Sequence, residues 1–570
     1  MYLFKFLILL IFYNNLSCGF VLKDNNNNNN NNNKTLFPCE SNIYCHGELL
    51  HTIQLAHIFD DSKTFVDKQL IYSPKQTMVN FKSFMKCMNN KPNKSEIIMF
   101  VKNSFKDGNE LEDWIPTDFK SDPEFLKQID NTTVQKYAKE LVNLWPKLAR
   151  KVRDEVSNNS DQYSIIPVPH GFIVPGGRFR EYYYWDSYWV IKGLLISEMS
   201  ETARGMIDNF ISLVQRYGFV PNGGRIYYLN RSQPPLLMAM AYSYYQHTND
   251  DEWIKQNIEY LDRELQFWLK NRTINIQMND NNFTVAHYCA ESSGPRPESY
   301  IEDYTVASQF EDLDKQEQLY MDIKSGAEAG WDFSSRWFID ETGKNRGNLS
   351  NINTRRIIPV DLNAILCGAF KQIADMYLAI NDLEKNAFWL NKNLEWRKMI
   401  ESVLWDEEDG IWYDLDSELL KPRRYFYASS VAPLWMHCYN EKAGFKLGKR
   451  VAKFLESKDL LNYIGGIPTS LEQTGEQWDF PNAWPPLQDI VIEGLATSGN
   501  PDAEEMAKTF AKRWVNGNIL GYLHSGEMFE KYNVLNSGQR GSGGEYIVQT
   551  GFGWSNGVVL KFIHDYFRKS

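Results

Sequence analysis

The residues best suited to do chemistry in this chain are carboxylates set among aromatic rings. In "GAEAGWDFSSRWF" (326–338), Asp332 stands between Trp331 and Phe333. An ionised carboxylate resists losing its water, so such a site either solvates the group locally or raises its pKa. Further acids lie in comparable company: Glu298 in "SGPRPES", Glu527 and Glu530 in "GEMFEKYNV", and Glu545 in "GSGGEYIVQTGFGWSNG". A proton-holding acid paired with an ionised carboxylate is the equipment of glycosidic bond hydrolysis. One protonates the leaving oxygen, and the other activates water or attacks the sugar. Trp331 and Phe333 are the expected sources of a raised pKa at Asp332.

Around these acids lie arginines and neutral hydrogen-bonding groups. "PGGRFREYYYWDSYW" (175–189) carries Arg178, Trp185 and Asp186 behind a Gly-Gly turn. "PNGGRIYYLNRSQPP" (221–235) carries Asn222, Arg231, Ser232 and Gln233, and Arg296, Pro297 and Glu298 follow in a proline-stiffened loop. "QWDFPNAWPP" (477–486) repeats the aromatic, acidic and proline-rich recipe. Any one such loop reads equally well as a solvated surface turn. Together they describe one polar pocket with ring-lined walls, suited to a sugar. The chain has only nine histidines and no H-E-x-x-H, G-x-S-x-G or Walker-type pattern. Metalloprotease, serine-esterase and phosphoryl-transfer machinery are therefore not in view, and no C-x-x-C pair suggests zinc.

Two stretches carry a family resemblance. Residues 175–188 match P-G-G-R-F-x-E-x-Y-x-W-D-x-Y at every fixed position, and residues 477–486 fit Q-W-D-x-P-x-(G/A/S)-W-x-P. Both resemble the signature motifs of the trehalases, glycoside hydrolase family 37. The resemblance runs from "PCESNIYCHGELLHTIQLAHIFDDSKTFVDK" (38–68) to "GFGWSNGVVL" (551–560). It implies an all-α, (α/α)6 toroid whose long loops form the pocket, and cofactor-free, metal-free hydrolysis of α,α-trehalose with inversion. It also implies Asp332 as general acid and Glu530 as general base, about 6.5–9.5 Å apart as inverting pairs are. Substrate contacts implied are Arg178, Trp185, Asp186, Asn222, Arg231, Ser232, Gln233, Arg296, Pro297, Glu298, Gly330 and Glu545. Ala329 and Asn533 depart from the residues common in the family, serine and aspartate. Glu527 is the competitor for the role of base. Two other readings of the pocket are an inverting glycosidase for another α-glucoside and a sugar-binding protein without turnover.

The elements that must position these residues are mostly helical. Apolar residues recur every three or four positions at Val134, Tyr137, Leu141, Trp145, Leu148 and Val152, and again at Leu362, Leu366, Phe370, Ile373, Tyr377 and Ile380. Further helices are expected around 200–216, 235–247, 251–270, 384–404, 428–456, 485–498, 501–515 and 549–567. Few strands are convincing, and no fixed-period repeat is visible. With 570 residues, 43% of them hydrophobic, the chain can bury a large core. A net charge of −11 leaves no basic footprint for nucleic acid or anionic membrane.

The N-terminus "MYLFKFLILLIFYNNLSCGF" has the pattern of a signal peptide, here 1–18. A disordered leader (19–36) containing nine consecutive asparagines follows, and then a single catalytic domain (37–570). The mature protein is expected to be soluble, in the extracellular space or a lysosomal or vacuolar lumen, with no membrane anchor, nucleic-acid partner or obligate protein partner. Eight N-x-S/T sequons beyond residue 18 agree with that route. The sequon at Asn230 abuts Arg231 and is expected to stay unmodified. Cys39 and Cys45 are placed to form a disulfide, and Cys367, in an apolar helical stretch, reads as a buried thiol.

Overall fold

A computed structural model describes residues 39–569. The signal peptide, the asparagine-rich leader and the first residues of the expected catalytic domain lie outside them. Twelve helices make a double ring, labelled α1–α12 in chain order. They are α1 (Thr132–Val142), α2 (Asp186–Ile196), α3 (Ser200–Tyr217), α4 (Leu237–Thr248), α5 (Asp251–Asn271) and α6 (Val360–Ala379). The remainder are α7 (Leu383–Met399), α8 (Ala432–Trp435), α9 (Gly444–Ser457), α10 (Pro485–Ala496), α11 (Pro501–Ser525) and α12 (Gly553–Tyr566). The inner ring closes in the order α2, α4, α6, α8, α10, α12 and back to α2. The outer helices α3, α5, α7, α9 and α11 each follow an inner partner through a short connection. The outer helix α1 closes the ring by packing on α12. This is the expected (α/α)6 toroid.

The two rings differ in composition for a physical reason. A helix wrapped by neighbours must be apolar nearly all round, whereas an outer helix needs one apolar stripe. In α6 and α10 almost every position is buried, including Asn363, Gln488 and Asp489. The outer α5 buries only Trp253, Ile254, Ile258, Leu261, Asp262, Glu264, Leu265 and Trp268. Where α2 crosses α12 the backbones come together on glycines. A Cβ on Gly557 would lie 2.0 Å from the carbonyl oxygen of Trp189.

Two helical expectations and one cysteine reading need correction. The periodic stretch 133–156 is helical only to Val142, because Pro146 cannot continue the ladder; a four-residue helix, Trp145–Leu148, and a strand, Ala149–Val152, replace it. The stretch 428–456 is interrupted between α8 and α9, where Cys438 turns inward. Cys367 is not a thiol, since it is bonded to Cys438 and ties α6 to the segment after α8. The Cys39–Cys45 disulfide is present. Strands are short apart from one hairpin, in which Thr273–Met278 pairs with Asn281–Ala286. Its turn places Asn279 and Asp280 at positive φ, as a tight two-residue hairpin demands.

Residues 43–105 form a small helical cap with its own core of Leu49, Leu50, Ile53, Phe65, Val66, Leu70 and Phe81. Tyr183, Tyr227, Tyr228 and Tyr300, from the pocket loops, complete that core. Buried ion pairs lock the cap down: Lys63 to Glu181 at 2.8 Å, and Asp67 to Arg225 at 3.5 Å.

Candidate active site

The loops at one end of the toroid enclose a cavity holding about 660 Å³ of empty space, its mouth included. Asp332 and Glu530 both line it. So do Arg178, Trp185, Asp186, Asn222, Arg231, Gln233, Arg296, Glu298, Gly330 and Glu545. Glu527, the competitor, does not.

Asp332 follows Gly330, which has φ of 74°. A Cβ on Gly330 would stand 2.7 Å from the Trp185 indole, so only glycine lets the loop pass the ring. Beyond Asp332 the loop is pinned by the second signature. The Asp479 carboxylate accepts from Ser334 Oγ at 2.8 Å and from the Ser335 amide at 2.7 Å, and the Trp478 amide donates to the Phe333 carbonyl at 3.0 Å. The two motifs are thus one structural unit.

Burial pushes the Asp332 carboxyl up to about 6; Arg296 opposes the rise and Glu545 supports it. The flanking rings do not line the pocket. Trp331 stacks on the far side of Trp478, with centroids 5.2 Å apart, and Phe333 lies against Gly326 and the Arg296 guanidinium. The walls are instead Phe179, Tyr183, Trp185, Trp478, Trp484 and Trp554, together with Tyr228, Tyr546 and Phe552. Ser299 and Ala327 complete the lining.

Glu530 is 1% exposed. Its Oε1 accepts from the Tyr546 hydroxyl at 2.8 Å and its Oε2 from the Gln549 amide at 3.3 Å. Burial raises its pKa, while Lys531, these donors and Arg178 pull the other way. Asp186, at the start of α2, is raised well above the carboxylate range by burial, with Glu530 and Asp332 adding to the rise.

Each arginine of the pocket is held by a carboxylate. Arg178 makes a bidentate pair with Asp61 of the cap, at 2.8 and 2.7 Å, beside the Tyr546 ring. Arg231 donates to Glu298 at 2.7 Å, and both residues keep a buried polar atom without a partner, Nε of Arg231 and Oε2 of Glu298. Arg296 pairs with Asp303 and also reaches Glu545 at 2.8 Å, while Ser299 Oγ donates to the second oxygen of Glu545 at 3.1 Å. Fixed forks of this kind present hydrogen-bond donors to hydroxyls without paying for side-chain ordering at each binding event.

Two expected contacts do not face the cavity. The Ser232 hydroxyl donates to the Val220 carbonyl at 2.6 Å, and its amide donates to Glu328 at 2.9 Å. The Pro297 carbonyl accepts from Gln54 of the cap at 3.0 Å. Both are supports of the loops that carry Gln233 and Glu298. Asn230 is 3% exposed and accepts from Arg231, so its side chain has no room for a glycan. Sequence reasoning missed Tyr546 and Asp61. Tyr546 lies in a quoted loop, and only its position next to Glu545 hinted at a role. No local signal marked Asp61, which is remote in sequence from every residue it serves. Among the described residues no cluster of histidine, cysteine, aspartate and glutamate could hold a metal ion.

The chain was compared with known proteins. The trehalase family profile matches residues 57–567. Trehalase of Tenebrio molitor is 50% identical over 529 residues, covering 93% of this chain and 95% of the relative. Human trehalase is 46% identical over 531 residues, covering 93% and 90%. Among solved structures, neutral trehalase of Saccharomyces cerevisiae superposes with a TM-score of 0.55 at 24% identity, covering 69% of this chain and 73% of the other, which bears on the fold alone.

Proposed function

The chain belongs to the trehalase family and is an α,α-trehalase, and on that premise we propose that it works by inversion, with Asp332 as general acid and Glu530 as general base. The observation that carries this reading is the difference in partners between two carboxyls on one cavity, both raised by burial. Asp332 has a pKa near 6 and so retains a proton in mildly acidic solution. Glu530 is surrounded by groups that favour its ionised form: a tyrosine hydroxyl, a backbone amide and two cations.

In the proposed reaction Asp332 passes its proton to the glycosidic oxygen as that bond lengthens. Glu530 takes a proton from the water that attacks the anomeric carbon on the opposite face. Charge develops on the ring carbon and is spread toward the ring oxygen, and the low-dielectric aromatic walls strengthen its attraction to Glu530. Arg178, Arg231 and Arg296, with Asn222 and Gln233, orient the hydroxyls. The partner implied is a small neutral disaccharide.

We further propose that 37–570 is one catalytic unit in the secretory pathway, at an extracellular or lumenal site. The Cys39–Cys45 and Cys367–Cys438 disulfides support an oxidising compartment. No helix among the described residues is long and apolar enough to cross a membrane.

The test is product analysis on purified enzyme. Inversion at one of the two α-linked carbons yields one β-glucose and one α-glucose, resolved by proton NMR before mutarotation. Two α-anomers would overturn inversion, and preferred cleavage of maltose would overturn the substrate. Asp332→Asn should lower turnover by at least ~10²–10⁴-fold while trehalose still binds; an active variant rejects the acid assignment.

A further inference from the structure

Lys531, the residue after Glu530, is fully buried. Its ammonium donates to Oε1 of Gln477 at 2.9 Å and to the carbonyl of Gly543 at 3.0 Å, and lies 4.9 Å over the Trp484 ring. The same Gln477 turns its Nε2 toward the protein's other key segment and donates to the backbone carbonyl of Asp332. An ammonium only donates and a carbonyl only accepts, so the orientation of this amide is dictated at both ends. One side chain therefore spans from the neighbour of Glu530 to the peptide of Asp332. The Gln477 carbonyl is itself fixed by Trp484 Nε1 at 2.8 Å and Asn482 Nδ2 at 3.1 Å.

The surroundings are shaped to admit this arrangement. A Cβ on Gly541 would lie 2.9 Å from Cγ of Lys531, and one on Gly544 would lie 2.6 Å from Oε1 of Gln477. Trp331, Trp478 and Trp484 form a stacked column, with Trp478 and Trp484 only 3.8 Å apart. Arg336 covers one end of the column and Lys531 the other. Arg336 is neutralised by Asp361 and Asp414. Among the described residues Lys531 makes no ion pair; its acceptors are neutral, and the charges that act on it are those of Glu530 and Asp332.

A buried cation costs several kcal/mol in solvation. If filling space over Trp484 were the whole task, an apolar side chain would do it at lower cost. We propose that Lys531 is a positioning residue of the hydrolysis: through Gln477 it fixes the spacing of Glu530 and Asp332, and through Gly543 it holds the loop that delivers Glu545. The inference rests on the assignment of Asp332 and Glu530 as the catalytic pair. Burial draws the ammonium down to about 8, so it is charged in neutral and acidic solution and favours the ionised form of Glu530. The other groups acting on Glu530 are Tyr546, Gln549 and Arg178, and Glu530 in turn acts on Asp186.

The experiment compares Lys531→Met, Lys531→Arg, Gln477→Leu and the Met–Leu double variant in the full chain, by kcat, KM, pH–rate profile and melting temperature. Lys531→Met should lower kcat by ~10–100-fold, as small misplacements of reacting groups do, with little change in KM. Its acidic limb should move to higher pH, because Glu530 loses a neighbouring positive charge. Lys531→Arg should recover part of kcat and most of the limb. The double variant should be no worse than the poorer single one, as for residues acting through one link. A Lys531→Met enzyme with lowered melting temperature but unchanged kcat and limb would overturn the inference, as would losses that multiply in the double variant. Should Lys531→Met fail to fold, Gln477→Leu, which keeps the lysine, carries the same kcat test. Asp332→Asn and Glu530→Gln run alongside: turnover in either rejects the catalytic pair, whereas inactive pair variants with an unaffected Lys531→Met reject this inference alone.

Discussion

The hydroxyl of Tyr546 donates to Oε1 of Glu530 at 2.8 Å, and the same phenol ring lies under the guanidinium of Arg178, 4.6 Å from its centroid. One tyrosine thereby links the proposed base to a cavity-lining arginine, and that arginine to the cap through Asp61. Removing the hydroxyl leaves the ring, so Tyr546→Phe isolates the hydrogen bond. Since the bond favours the ionised form of Glu530, its loss raises the pKa of the base. The acidic limb of the rate profile should move to higher pH, and kcat at the optimum should fall about 10-fold. A profile superposable on that of the unmodified enzyme would remove Tyr546 from the mechanism.

The proposed assignment gives the alkaline limb to Asp332. The acid works only while protonated, so the rate should decline as pH rises through about 6. The Glu545 charge contributes to holding that proton. Glu545→Gln keeps the length and an acceptor for Arg296 but removes the charge, so the limb should shift to lower pH. A pH–rate series on the two enzymes at saturating trehalose measures this, and an unmoved limb would show that Glu545 does not act on Asp332.

The Arg178–Asp61 pair predicts a contribution of the cap to binding. Asp61→Ala leaves Arg178 without its bidentate partner and free to leave the pocket wall. We expect kcat/KM for trehalose to fall about 10-fold through KM more than kcat, because the lost term is orientation of the bound sugar. The melting temperature should change little, as Asp61 is 38% exposed and the pair is screened by solvent. Steady-state kinetics with thermal unfolding on one preparation separates the two effects.

The Cys367–Cys438 disulfide closes a long loop between α6 and the segment after α8, 71 residues apart in sequence. Cross-links of that span restrict the unfolded chain, so Cys438→Ser should lower stability by about 2–4 kcal/mol. Chemical unfolding with and without reductant checks it: the variant should be less stable than the oxidised protein and insensitive to reductant.

The sequence by itself determined the chemistry and the architecture. Residue types in the pocket loops, carboxylates and arginines among tryptophans and tyrosines, specified a sugar site. Helical periodicity specified a mostly helical domain, and the two signature motifs implied that its helices close into a toroid. These are legible because they are local: a motif of ten residues or a 3.6-residue period is contained in the segment that carries it. Which side of a loop faces the cavity is not local: Ser232 and Pro297 were expected there and do not line it, whereas their neighbours Gln233 and Glu298 do. Cys367 misled for the same reason, since its partner approaches only when the ring closes. Asp61, Gln477 and Lys531 owe their roles to contacts across 117, 145 and 54 residues. Only the tertiary structure decides such pairings, because long-range geometry depends on how every intervening element packs.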